Sequence, residues 1–87
     1  MFPVESSYAT VLFDSGATHS FISASFVAQN SLHMILMKDP MIVSTPGGKM
    51  KTQKLCPRVN INIRGVDFPS SLIVLESNGL DIILGMD

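Results

Sequence analysis

Val59, Ile61 and Ile63 alternate with Asn60, Asn62 and Arg64. Apolar residues at every second position suit a strand with one face buried and the other wet, because successive side chains point to opposite sides. Tyr8 to Phe13 is a second β-favouring run, and Met41 to Thr45 a third. Leu72-Ile73-Val74-Leu75 is continuously apolar, as expected of a strand covered on both faces, and Leu80 to Gly85 closes the sequence. Turn-forming groups punctuate these runs: Asp14-Ser15-Gly16, Pro46-Gly47-Gly48-Lys49, Arg64-Gly65-Val66-Asp67 and Ser77-Asn78-Gly79. Proline before two glycines predicts a hairpin, with Met50 to Cys56 returning. One segment reads as a helix, Ser20 to Asn30, with Ser20 as its N-cap and Asn30 ending it in the left-handed conformation. About six or seven short strands and one helix predict a small closed or sandwiched β fold.

With 87 residues there is room for one domain, and its surface is large for its core, so association of copies is a natural source of stability. Hydrophobic residues make up 46% and charged residues 15%, a globular and not a disordered composition. The formal net charge of -1 leaves no electrostatic footprint for nucleic acid. Lys49, Lys51 and Lys54 read as a solvated face and not a phosphate site. A nucleic-acid-binding β barrel is disfavoured by that charge and by the sparse aromatics. No apolar run approaches the roughly 18 residues of a membrane span, and the first residues lack the basic start and apolar stretch of a signal peptide. These features suggest a soluble intracellular domain that binds no membrane.

Chemistry concentrates at Leu12-Phe13-Asp14-Ser15-Gly16-Ala17-Thr18, where a carboxylate stands at the end of an apolar strand and small residues follow. Carboxylate-driven peptide hydrolysis needs two such groups, one as general base toward water and one as general acid toward the amide. A single loop of this kind supplies half a site, and a two-fold dimer would bring two copies of Asp14 together. Asp81 and Asp87 are rival partners for Asp14 within one chain. Cys56 is a conceivable nucleophile with His19 or His33, but nothing around it lowers a thiol pKa, so an ordinary core residue is the better reading. His19 reads as exposed or at a helix start. Met34, Met37 and Met41 read as flexible core filling. A lone cysteine and two scattered histidines propose no metal.

Asp14-Ser15-Gly16-Ala17 resembles the Asp-(Thr/Ser)-Gly-Ala signature of retropepsin-like aspartic proteases, and Ala9 to Ser23 is similar to the protease segment of gypsy-class LTR retrotransposon polyproteins of plants. Ile82-Ile83-Leu84-Gly85-Met86-Asp87 resembles that family's second motif, an apolar-apolar-Gly segment that passes beneath the catalytic loop. The resemblance covers essentially the whole chain. It implies an all-β, closed, barrel-like retropepsin (acid protease) fold with one short helix and a flap hairpin. It also implies a homodimer that cleaves extended segments of its own polyprotein without metal or organic cofactor, in the cytoplasm within retrotransposon particles. By the same resemblance Asp14 is the catalytic aspartate, Ser15 braces the paired loops and Gly16 permits close approach of backbone. Ala17, Pro46, Gly47 and Gly48 contact substrate, the last three at the flap tip, and Ile83, Leu84 and Gly85 support the catalytic loop. Family members continue past this point into a helix and a terminal strand, so the resemblance implies that residues 1–87 are a domain truncated at its C-terminus. The alternative function is a truncated or decayed module that only dimerises or binds extended peptides.

Overall fold

A computed structural model describes residues 2–4, 7–15, 19–45, 48–76 and 80–85. The chain forms β1 (Phe2–Val4), β2 (Ser7–Ala9), β3 (Val11–Asp14), β4 (Phe21–Ser23), α1 (Ala24–Gln29), β5 (Ile35–Thr45), β6 (Gly48–Ile63), β7 (Val66–Leu75) and β8 (Ile82–Gly85). This is the expected all-β architecture with one short helix. All eight strands belong to a single sheet in the order β2-β1-β6-β7-β4-β8-β3, with β5 branching off as the partner of β6.

The longest strand, β6, joins what the sequence suggests are two strands. Cys56 faces Leu72 and Val59 faces Ser70, so β6 spends one residue more than β7 between these pairs. This is a β-bulge, and it falls at Pro57-Arg58, where proline has no N–H to give a ladder and Arg58 takes φ 55°. The extra residue shifts the alternation by one position. Cys56, Val59 and Ile61 are all buried as a result, although an uninterrupted strand could not face 56 and 59 the same way. At the other end, Ile63 pairs with Val66 across Arg64-Gly65, both at positive φ (52° and 82°), which is the backbone a two-residue hairpin of primed type demands. Asn62 braces this turn, accepting from the Gly65 N–H and donating from Nδ2 to Asp67.

The helix is shorter than the sequence suggests. Phe21 and Ile22 join the sheet, pairing with β7 on one side and β8 on the other, so the N-cap is Ser23 and not Ser20. The Ser23 Oγ accepts from the Phe26 N–H at 3.1 Å. Asn30 ends the helix at φ -109°, outside the left-handed region, and the positive φ falls on Ser31. The Asn30 amide donates to the Phe26 carbonyl, and its oxygen accepts from the Ser7 hydroxyl, tying the helix end to β2.

Both faces of β7 are covered from Leu72 to Leu75, as its continuous apolar run implies. Ile22, Phe26, Cys56, Ile61, Leu72 and Ile82 meet in one core. Met34, Met37 and Met41 are not among its fillers: Met34 is exposed and the other two are only half-buried on β5, which pairs with β6 alone among the described residues and lies off the main path of the sheet. Among the described residues every buried side-chain polar atom has a hydrogen-bond partner. The core is small and Leu72 is fully enclosed in it. Leu72→Ala is therefore expected to lower unfolding free energy by about 2–5 kcal/mol, measured by urea denaturation at fixed protein concentration.

Candidate active site

The strand leading to Asp14 is built from residues that favour extended backbone, and it ends where Ser15 begins a turn. Among the described residues β3 is the last strand of the sheet and pairs with β8, in parallel: Val11 with Ile82, Leu12 with Ile83, Phe13 with Leu84 and Asp14 with Gly85. The two sequence motifs are thus neighbouring strands in register, and Asp14 lies opposite Gly85. Leu84 is buried and Ile83 half-buried, while Asp14 and Ser15 are exposed. Gly16 and Ala17 lie outside the described residues, as do Pro46 and Gly47. Gly48 is described: it pairs with Thr45 at the end of the β5–β6 hairpin with φ +125°, a conformation that suits glycine.

Two clasps hold β8 against its neighbours. At its start the Thr10 N–H donates to the Asp81 carboxylate (Oδ2) at 2.9 Å, and the Asp81 and Ile82 N–H groups both donate to the Thr10 carbonyl. The Ser23 N–H donates to the Asp81 carbonyl at 2.8 Å, so Asp81 ties β3, β4 and β8 together. At the far end the Gly85 N–H donates to the Ser20 Oγ at 3.1 Å. Asp81 stands at the opposite end of the β3–β8 ladder from Asp14, which makes it a structural clasp and not a second catalytic carboxylate. Asp87 lies outside the described residues. These clasping roles were not legible in the sequence, since a serine before a strand and an aspartate after a turn carry no signal of their distant partners.

The β5–β6 hairpin is connected to the body by a hydrogen bond from the Thr52 hydroxyl to the Val74 carbonyl at 2.7 Å. Between β5, where Met37 to Pro40 depart from the ladder, and the end of β7 lies a groove of about 250 Å³. Ala24, Leu36, Met50, Val74 and Leu75 give it apolar walls, and Lys51, Lys54 and Glu76 give it charge. Lys49, Lys51 and Lys54 are all exposed along β6.

Two other side chains drew attention in the sequence, Cys56 and His19. Cys56 is fully buried, and burial pushes its thiol above the ordinary value, the reverse of what a nucleophile needs. His19 is exposed, with its ring edge-on to Phe21 at 6.5 Å between centroids. Among the described residues no group of three or more His, Cys, Asp or Glu side chains could hold a metal ion, and no helix is long and apolar enough to cross a membrane.

A family model described as retroviral aspartyl protease matches residues 1–87. The chain belongs to the retroviral aspartyl protease family. Among solved structures it is similar to the solution structure of simian foamy virus (mac) protease, with a TM-score of 0.61 at 14% identity, covering 97% of this chain and 82% of that one. At that identity the likeness speaks for the fold. No curated protein matches the sequence significantly.

Three outcomes follow from this geometry. Asp81→Ala should lower stability by about 1 kcal/mol or somewhat more in chemical denaturation, since the Thr10 N–H loses a charged acceptor. Cys56 should resist alkylation in the folded protein and react on unfolding. Because the folded state holds the thiol proton more tightly than the unfolded chain does, unfolding releases it at alkaline pH. Stability should therefore be intact below the ordinary thiol pKa and fall as pH rises beyond it, which a pH series of urea melts would read.

Proposed function

We propose that this retroviral-type protease domain is one half of an aspartic endopeptidase, active as a homodimer, that processes the polyprotein of a plant gypsy-class LTR retrotransposon. The observation that carries the reading is the Asp14–Gly85 register: a strand-end carboxylate backed by the apolar-apolar-Gly strand whose motif resembles the family's. One chain offers one such carboxylate, and a two-fold axis beside the turn would make a pair from it. Leu12 and Phe13, 44% and 40% exposed on the sheet's last strand, add apolar surface next to Asp14 that a second copy could cover.

In the dimer one Asp14 is ionised and takes a proton from the attacking water, while its twin is protonated and donates to the amide as the bond breaks. Two like charges so close cannot both ionise, and this division of roles follows from their proximity. Ser15 braces the two turns, while Gly16 and Ala17 let the substrate backbone come near. The substrate is an extended peptide paired through its main chain, and Pro46, Gly47 and Gly48 close over it as a lid that excludes water. The chemistry asks for no metal or organic cofactor, and the reaction would take place inside the retrotransposon particle.

Purified protein should sediment as a dimer and cleave a peptide copied from a junction of its polyprotein. Asp14→Asn should reduce cleavage by at least about a thousandfold, the scale on which loss of an essential acid–base group acts, with the circular dichroism unchanged. Equal cleavage by both forms would overturn the proposal. A folded chain that dimerises or binds the peptide without cleaving it would mark a decayed module.

A further inference from the structure

β8 is held on its two sides by different means at Gly85. On the β3 side Gly85 is in register with Asp14. On the other side β4 is antiparallel to β8, with Phe21 opposite Ile83 and Ile22 opposite Ile82, and its ladder stops at Phe21. The main chain has left the sheet where it would have met Gly85. The Gly85 N–H meets the Ser20 hydroxyl instead, so a side chain replaces the missing strand carbonyl. Ser20 is itself fixed from behind, because its carbonyl accepts from the Ile73 N–H at 2.9 Å. Two hydrogen bonds therefore link β7 through Ser20 to Gly85, and Gly85 is the register partner of Asp14 on β3. Gly85 has no side chain to anchor by packing, which leaves more of its placement to its backbone partners.

We propose that Ser20 is a positioning residue for proteolysis: its hydroxyl, accepting from the Gly85 N–H, sets the height and direction of the strand end that carries Asp14. The proposal rests on the protease reading above. Ser20 touches neither substrate nor the attacking water. It acts through Gly85, on a geometry in which small displacements of a reacting group are costly. Threonine would keep the acceptor oxygen, and alanine would leave a half-buried N–H without it.

The test compares unaltered protein with Ser20→Ala, Ser20→Thr and Asp14→Asn, each assayed on the polyprotein junction peptide at concentrations where sedimentation shows a dimer. Rates are expressed per folded dimer from circular dichroism, and exchange of the Gly85 amide is followed by NMR. Ser20→Ala is expected to lower kcat roughly ten- to a hundredfold while KM changes less than about twofold, the size of effect that misplacement of a reacting group produces. Its Gly85 amide should exchange faster, and Ser20→Thr should restore both kcat and protection. If Ser20→Ala loses only folded fraction, with kcat per folded dimer unchanged, Ser20 is merely structural and the inference is overturned. The same holds if kcat falls but Ser20→Thr fails to rescue it. If the unaltered protein shows no Asp14-dependent cleavage, the protease reading fails and the inference falls with it. Asp14-dependent cleavage with normal Ser20→Ala kinetics sinks the inference alone.

Discussion

Four residue pairs between β3 and β8 hold the candidate site in place. A parallel pair cannot be closed by a tight turn, so the two strands must be brought together by everything that lies between them in the chain. β4 makes this possible by lying antiparallel to β8 and parallel to β7, which lets one short strand seat both of its neighbours. The ladder is then locked at its ends by polar groups. Asp81 gathers Thr10 and Ser23 at one end, and Ser20 holds Gly85 at the other. An exposed carboxylate at the tip of an edge strand would otherwise sit on one of the least constrained parts of a small protein.

The same economy shapes the core. Eighty-seven residues give little apolar surface to enclose, and one strand, β6, serves both the hairpin and the body. The bulge at Pro57-Arg58 changes which alternate residues face inward as β6 passes from one task to the other. Without it either Cys56 or the pair Val59 and Ile61 would face solvent. Apolar side chains stay exposed at several places on so small a domain, Leu12 and Phe13 beside Asp14 and Leu36, Ile42, Val66 and Phe68 on the longer strands.

Much of this could be read in the residues. The alternation of Val59, Ile61 and Ile63, the doubly covered run at Leu72 to Leu75, the turn at Arg64-Gly65 and the strand ending at Asp14 are local patterns, and they reappear as local structure. The features that escaped depend on contacts across the fold. Helical spacing of Ile22 and Phe26 suggests one longer helix, yet Ile22 is drawn into the sheet between β7 and β8 and Ser23 takes over the cap. Met34, Met37 and Met41 have the chemistry of core fillers, but none of them joins the core. Asp14 and Gly85 stand out as ends of separate motifs, and their pairing was implied by resemblance to a family and not by any periodicity. Ser20 and Asp81 work through partners 65 and 71 residues away, a relation that no local pattern encodes.

The central claim is that a working site takes one Asp14 from each of two chains. Cleavage rate per chain, measured across a dilution series together with sedimentation over the same concentrations, tests it most directly. The account predicts that the rate per chain falls on dilution in step with the dimer fraction and vanishes in the monomer. A rate per chain that holds constant while the dimer dissociates would contradict it, and would place a complete catalytic apparatus within a single chain.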